Sequence, residues 1–147
     1  ALPILLPKKT NQSSQTNSVT LRPIPRDIPT GENISPASLS IETEHDHYPL
    51  STTEVKITIT NHSHYEYECG EKYSLAYYNK SKRQWETLPT DPVVNDILWI
   101  FPPEHPSHQQ TIKLYTSESP NHPGKYRIYK SFNRGTKVAY GEFELLP

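Results

Sequence analysis

The sequence predicts an all-β protein: a Greek-key β-sandwich of about seven strands that follows an extended N-terminal segment. Two observations support this prediction. Short runs of alternating apolar and polar residues recur along residues 37–147, and turn-forming residues bound each run. The 147 residues also include fifteen prolines and only five glycines, and a proline content this high argues against a helical protein.

The N-terminal residues 1–36 are predicted to form a linker or stalk outside the sandwich, and a plain disordered N-terminus is an equal alternative. The apolar segment 1–7 is far shorter than the roughly eighteen residues that span a bilayer. It could be an edge strand, a tail docked on the domain or a partner-binding segment. Residues 8–18 are polar and cannot offset their own ordering entropy. Four spaced prolines then favour an extended path, namely Pro23, Pro25, Pro29 and Pro36.

The first predicted strands lie between residues 39 and 61. Leu39 and Ile41 alternate with polar residues, and residues 45–51 read as a turn region. Residues 54–61 form the clearest strand, whose inward side chains are Val55, Ile57 and Ile59. Its other face is polar, which indicates an antiparallel sheet with one side in water.

The middle of the chain predicts a hairpin followed by an irregular segment. Residues 72–78 and 83–88 are the two strands, and a basic turn joins them; we read this turn as solvated rather than as a polyanion site. Trp85 is the predicted aromatic plug at the hairpin edge. The irregular segment 89–106 contains the apolar patch 97–101, which is either a short strand or a lid over the core. An exposed binding patch is the alternative.

The last three strands are predicted at residues 109–115, 124–132 and 137–146. The strand 124–132 follows a turn. Tyr126 lies near its start, on the same face as Ile128 and Phe132. A tyrosine at the start of a late strand packs its ring in the core of a sandwich, and its hydroxyl bonds back to the backbone. Tyr126 is therefore predicted to lock a corner of the fold.

Three motifs, in order, carry a family resemblance. They are Val-Lys-Ile-Thr-Ile-Thr-Asn at residues 55–61, Trp-Glu-Thr-Leu at 85–88, and Pro-Gly-Lys-Tyr-Arg-Ile-Tyr-Lys at 123–130 followed by Gly-Glu-Phe-Glu-Leu at 141–145. With these motifs the chain resembles the bacterial immunoglobulin-like domains of secreted and surface-anchored proteins. The resemblance implies an immunoglobulin-like sandwich outside the cytoplasm, often tethered as a lipoprotein and without enzymatic activity. Any lipid anchor would be attached upstream of Ala1.

Composition and motifs limit the chemistry that the chain can perform. The formal net charge of -1 gives no electrostatic case for binding nucleic acid or an anionic membrane. The single cysteine, Cys69, allows neither an internal disulfide nor a cysteine-based zinc site, and it reads as a buried thiol. The sequence has no Gly-x-Ser-x-Gly elbow and no glycine-rich phosphate loop. We therefore predict no catalytic residues and no cofactor.

Two kinds of side chain remain as binding candidates. Six aromatic residues are candidate contacts for a protein or glycan, although half of them could equally be core or edge packing: Tyr65, Tyr67, Tyr77, Tyr78, Trp99 and Phe101. Two His-x-His pairs, His45 with His47 and His62 with His64, could each present two imidazoles to a metal ion. If the strands before them are antiparallel neighbours, the two pairs lie at opposite ends of the sandwich. The alternative is that all four are exposed loop residues.

The function predicted from the sequence is a non-enzymatic, extracytoplasmic module with a structural or adhesive, protein-binding role at the bacterial cell surface. It could equally be secreted or periplasmic. The expected partner is an unknown protein or glycan of the cell envelope, not nucleic acid, and the chain is not expected to span a membrane. A carbohydrate-binding sandwich and an envelope metal- or ligand-binding protein that uses the histidine pairs are the alternatives.

Overall fold

The computed structural model describes residues 2–5, 21–92 and 95–147, and these residues form strands without any helix. The strands are β1 (Leu2–Leu5), β2 (Ile24–Pro25), β3 (Glu32–Asn33), β4 (Leu39–Thr43), β5 (His47–Pro49), β6 (Glu54–Asn61), β7 (Tyr67–Cys69), β8 (Ser74–Asn79), β9 (Gln84–Thr90), β10 (Ile97–Phe101), β11 (Ser107–Lys113), β12 (Gly124–Phe132) and β13 (Lys137–Leu146). The predicted all-β sandwich is confirmed. Among the described residues no helix could cross a membrane.

Two sheets, in which most strand pairs are antiparallel, make up the body of the sandwich. The smaller sheet has the order β11-β6-β4. The larger sheet has the order β2-β9-β8-β12-β13-β3, and the short strand β5 also pairs with β13. A third sheet of order β1-β10-β7 contributes Tyr67, Cys69 and Phe101 to the core. The hairpin predicted at residues 72–88 is the β8–β9 pair, in which Tyr78 lies opposite Trp85.

The core lies where the inner faces of the two main sheets meet. Alternation along β6 and β12 predicted the inward side chains, and these residues are nearly inaccessible to solvent: Val55, Ile57, Ile59, Tyr126, Ile128 and Phe132. Each apolar side chain buried in this way contributes about 1.5 to 3 kcal/mol to the stability of the fold. Lys130 belongs to the same inner row of β12 and is 1% exposed, which the sequence analysis did not anticipate.

The corner at the start of β12 has the arrangement expected for Tyr126. Its side chain is 2% exposed, and its ring stacks on Phe143 with 5.2 Å between the ring centroids. The Tyr126 hydroxyl accepts a hydrogen bond from the His122 N–H at 2.9 Å and donates one to the His122 carbonyl at 3.0 Å. The turn before β12 is therefore tied to the core through one side chain.

Residues 21–36 differ from the linker that the sequence predicted for them. Ile24 in β2 pairs with Thr90 at the end of β9, and β3 runs parallel to the start of β13. Ile34 packs against the main core, and Ile28 packs on the outer face of the larger sheet. The prolines keep these strands short, but the two isoleucines bury apolar surface that holds the segment in place. Residues 6–20 lie outside the described residues, and so a stalk remains a prediction for that part only.

Several short strands occur where the sequence suggested turns or loops. Residues 97–101 form β10, the first of the two predicted alternatives, and β1 pairs along its full length with β10 as an edge strand. The predicted turn at residues 45–51 contains β5, which runs parallel to the end of β13. The strand β7 was not predicted. Strands of three to five residues carry too few alternating positions to be recognised without their distant partners.

Candidate binding surface

The six aromatic residues predicted as contacts do not form one surface. Tyr67 and Phe101 are only 7% and 0% exposed, because β7 and β10 cover one end of the core. For these two rings the alternative of core packing therefore holds, and they are not exposed contacts. Tyr65 is 74% exposed, in the turn that follows β6.

The other predicted aromatic contacts lie in three different environments. The ring of Trp99 stacks on His108 with centroids 3.5 Å apart, and its indole N–H donates to a Glu71 carboxylate oxygen. Tyr77 points towards the core, where its hydroxyl donates to the Pro123 carbonyl at 2.9 Å. Tyr78 points the opposite way, to the outer face of the larger sheet. Of these three, only Tyr78 lies on the surface described below.

The two histidine pairs also lie apart. The antiparallel pairing of β4 with β6 places the end of β4 opposite Ile57 and the end of β6 opposite Leu39. In the sequence, His45 and His47 follow the first of these ends, and His62 and His64 follow the second. Within the described ranges, no group of three or more His, Cys, Asp and Glu side chains is arranged to hold a metal ion. A joint four-histidine site is therefore not formed, while metal binding by a single pair stays a prediction.

Individual histidines have other neighbours. The Nε2 atom of His62 lies 2.7 Å from the Ser40 hydroxyl, and the Nε2 atom of His47 lies 3.3 Å from a Glu144 carboxylate oxygen. The contact to Ser40 fixes the His62 ring against β4. A metal ion at His62 through Nε2 would have to displace this hydrogen bond.

Four side chains form a continuous row on the outer face of the larger sheet, which we name the aromatic row: Tyr78, Trp85, Arg127 and Tyr140. The rings of Tyr78 and Trp85 are cross-strand neighbours with centroids 5.1 Å apart. The Arg127 guanidinium carbon lies 4.3 Å from the centroid of the Trp85 ring and 4.2 Å from that of Tyr140. At these distances the cation is attracted by both ring faces.

Hydrogen bonds hold the Arg127 guanidinium in this position. Its Nε donates to a Glu142 carboxylate oxygen at 2.7 Å, and its Nη1 donates to the Tyr129 hydroxyl at 3.2 Å. The side chain is therefore ordered before any partner arrives. A long side chain that is already ordered loses less entropy when a partner binds.

The N-terminal segment covers one end of this outer face. Ile28 packs against Ala76, Tyr129 and Val138, and the Ser74 hydroxyl donates to the Asp27 carbonyl at 2.7 Å. Beyond this covered end, the three rings of the aromatic row are only half-buried. The row is thus a partly exposed aromatic surface on a rigid sheet.

A polar cluster occupies the core near the other end of β12. The Lys130 amine donates to the Gly70 carbonyl at 2.8 Å and to the Gln110 side-chain oxygen at 2.7 Å. Burial lowers the pKa of Lys130. Burial also raises the pKa of the Cys69 thiol to about 11. A thiol that stays protonated at neutral pH is a poor nucleophile, which agrees with the structural role expected for Cys69.

A groove of about 870 Å³ lies between residues 26–30, 68–74 and 95–98. Its lining mixes cationic side chains such as Arg26 and Lys72 with acidic ones such as Asp27. Because both signs are present, the groove offers no net charge preference for a ligand. Its geometry therefore does not point to one class of ligand.

Comparison with known proteins identifies the family. The model of the bacterial Ig-like domain family matches residues 35–144. The chain belongs to this family. The predicted resemblance is thus confirmed, and membership supports a non-enzymatic module. No curated protein sequence matches the chain.

Several solved structures are similar to this Ig-like domain at low identity. The alkylpurine DNA glycosylase AlkC of Pseudomonas fluorescens, bound to DNA containing an abasic site analog, has a TM-score of 0.37 and 13% identity over 76% of this chain and 31% of that chain. A β-glucosidase of Listeria innocua in complex with gluconolactone has a TM-score of 0.37 and 14% identity over 74% of this chain and 16% of that chain. A CARDB domain of Pyrococcus furiosus in complex with di-metal ions has a TM-score of 0.33 and 12% identity over 84% of this chain and 93% of that chain. The chain thus spans less than a third of the first two proteins.

Sequence reasoning missed two members of the aromatic row, Arg127 and Tyr140. The signal was present in part, since alternation along residues 124–132 placed Arg127 on the outer face. Tyr140 likewise falls between inward positions of the last strand. What the sequence does not contain is the register of β8 against β12, which brings Arg127 next to the β8–β9 hairpin.

Proposed function

We propose that this bacterial Ig-like domain is a non-enzymatic module that acts outside the cytoplasm, in a structural or adhesive role, by binding a protein through its aromatic row. The observation that carries the proposal is the Arg127 guanidinium held between the rings of Trp85 and Tyr140 on a partly exposed sheet face. Membership of the family supports the absence of catalysis.

The residue types of the row are those that dominate protein interfaces. Tryptophan, tyrosine and arginine are enriched among the residues that contribute most to binding energy. Aromatic rings bring a large contact area with few rotatable bonds, and the sheet fixes their positions. A partner that covers the row would bury the partly exposed faces of Tyr78, Trp85 and Tyr140 together.

A protein partner suits this geometry better than a sugar. A sugar ring stacks flat on a free aromatic face, but the Arg127 guanidinium occupies one face of Trp85. The neighbouring Tyr78 ring is tilted by 56° to Trp85, so the two rings do not form a flat platform. Side chains of a protein can fill such an uneven surface, whereas a sugar ring cannot lie flat on it.

The test is affinity capture from the native cell envelope with the full chain as bait. Wild-type protein is compared with Trp85→Ala and Arg127→Gln, and with Tyr65→Ala as a matched control, since Tyr65 is an exposed ring away from the row. We expect a specific protein to be captured by wild type and by the Tyr65 variant and to be lost with both row variants. Thermal unfolding of each bait checks that the variants are folded.

Two results would overturn this proposal. If both row variants capture the same protein as wild type does, binding lies elsewhere on the domain. If the captured material is a glycan, the domain is a carbohydrate-binding module. The location outside the cytoplasm has a separate check by cell fractionation, because the protein should then be found in the culture medium, in the periplasmic fraction or on the surface of intact cells, and not in the cytoplasmic fraction.

A further inference from the structure

We infer that the protein partner presents an acidic segment to the aromatic row, because one end of the outer sheet face is basic. This inference rests on the proposed function and adds the chemistry of the partner. Four exposed cations border Tyr78 and Trp85, and we name them the basic rim: Lys80, Lys82, Arg83 and Lys125.

The strand register brings the basic rim together. Three of its members lie in the turn that joins β8 to β9, directly beyond the Tyr78–Trp85 pair. Tyr126 pairs with Tyr77, and so Lys125, one position earlier on β12, lies beside Tyr78 on the outer face. The turn itself is ordered by a hydrogen bond of 3.1 Å from the Lys82 N–H to the Asn79 side-chain oxygen. The rim is therefore a fixed feature of one end of the sheet.

Three acidic side chains near this end already have partners, including Glu144, which pairs in register with Lys125. Glu142 accepts from Arg127, and Glu144 lies 3.3 Å from His47. Glu86 accepts a hydrogen bond from the Asn79 side-chain amide. In the described part of the chain, no ion pair uses any member of the basic rim. The rim is thus positive on a protein whose formal net charge is -1.

This combination of charges and rings fits a segment that carries both carboxylates and apolar side chains. Carboxylates opposite the rim would steer the partner to this end of the sheet and fix its orientation. An aromatic or aliphatic side chain between them would cover Tyr78 and Trp85. A simple polyanion would use the cations but leave the rings half-exposed, and so the structure favours an acidic protein segment over an anionic polymer.

Fluorescence anisotropy with the full chain and labelled synthetic peptides of equal length tests the inference. One peptide alternates glutamate with phenylalanine, the second replaces each glutamate by glutamine, and the third replaces each phenylalanine by serine. Inorganic polyphosphate serves as the polyanion probe. We expect the first peptide to bind most tightly and its affinity to fall as the salt concentration rises.

Variants on the two sheets locate the binding site. The double variant Lys82→Gln with Arg83→Gln should lower the affinity for the glutamate–phenylalanine peptide by about two- to thirtyfold, since each exposed charge pair contributes little by itself. The matched control is Lys56→Gln with Lys113→Gln, which removes two exposed lysines from the smaller sheet. This control should leave the affinity unchanged.

The inference is overturned by equal binding of the acidic and neutral peptides, by tighter binding of polyphosphate than of any peptide, or by no binding of any peptide. Its failure can be told apart from failure of the proposed function. If envelope capture depends on Trp85 but not on Lys82 and Arg83, the protein-binding row stands and the acidic segment is wrong. If capture does not depend on Trp85, the proposed function itself falls.

Discussion

Two ends of one row of side chains on β12 are stabilised in different ways. Tyr126 and Lys130 lie four residues apart on the same inner face, and their side chains are 2% and 1% exposed. Around Tyr126 the neighbours are aromatic rings. The Phe143 ring stacks on it, and the centroid of the Tyr77 ring lies 5.1 Å from that of Tyr126. Around Lys130 they are hydrogen-bond acceptors, the Gly70 carbonyl and the Gln110 side chain.

The comparison shows that equal burial does not mean equal sensitivity to the same change. At the Tyr126 end most of the stabilisation comes from apolar area, so a change that keeps the ring should be tolerated. At the Lys130 end a fully buried donor meets two half-buried acceptors. Removing that donor leaves polar atoms without a partner, even when the volume is kept. Four predictions test this difference.

The largest effect is expected from Tyr126→Ala, which removes the ring from the apolar end. The cavity and the lost contacts with Phe143 should lower the free energy of unfolding by about 3 to 5 kcal/mol. Urea unfolding followed by circular dichroism measures this loss. As a control, Tyr65→Ala removes an exposed ring and should change stability by less than about 0.5 kcal/mol. A loss at Tyr126 no larger than that of the control would contradict the packing argument.

The second prediction concerns the Cys69 thiol at the polar end. Burial raises its pKa from the usual 9.0 to about 11, although the nearby Lys130 acts to lower it. Between about pH 9 and pH 11 the unfolded chain therefore binds fewer protons than the folded chain. The free energy of unfolding should fall across this window, by at most about 3 kcal/mol.

The variant Cys69→Ala isolates this effect. Lys130 has a pKa lowered by burial, so its contribution rises with pH below its usual 10.5 and opposes that of the thiol. Both proteins contain Lys130, so the effect of its burial is common to them, and the difference reports the thiol together with its electrostatic coupling to Lys130. Urea unfolding at several pH values between 8 and 11 should show a shallower decline for the variant. Parallel curves would show that the buried thiol is not the cause.

The third prediction tests the hydrogen bonds of Lys130 directly. Lys130→Met keeps most of the volume but removes the amine that donates both hydrogen bonds, and it should destabilise the fold by about 2 kcal/mol because two half-buried acceptors lose their partner. Relief of the buried charge acts in the opposite direction. The double variant with Gln110→Leu also removes one acceptor. Its loss of stability should therefore be smaller, by about 1 kcal/mol, than the sum of the losses in the two single variants. Strict additivity would mean that the two side chains are not coupled.

The inner row of side chains on β12 also shows how much of the fold can be predicted from the sequence. Alternation along residues 124–132 correctly placed Tyr126, Ile128 and Phe132 inside, because the side chains of a strand alternate between its faces. The same phase places Lys130 inside. Alternation alone does not show that a charged residue at such a position is buried, since its partner Gly70 is sixty residues away in the chain.

The candidate surface was predictable only in part, for a related reason. Tyr78 and Trp85 face each other across a short hairpin, so their pairing follows from local sequence. Arg127 joins them through the pairing of β8 with β12, and this register depends on how the sheets assemble. The sequence left open whether Tyr67 and Phe101 are exposed or buried, because strands of three and five residues give too short a pattern to reveal which side is covered.

The smallest effect is expected from Tyr126→Phe, which keeps the ring and removes only the hydroxyl. The lost bonds to the His122 backbone should cost on the order of 1 kcal/mol. Chemical unfolding of the variant beside Tyr126→Ala separates this bond from the packing of the ring. No loss of stability would count against a role for the corner bond. A loss as large as that of Tyr126→Ala would mean that the apolar end, like the Lys130 end, depends on its hydrogen bonds more than on buried area.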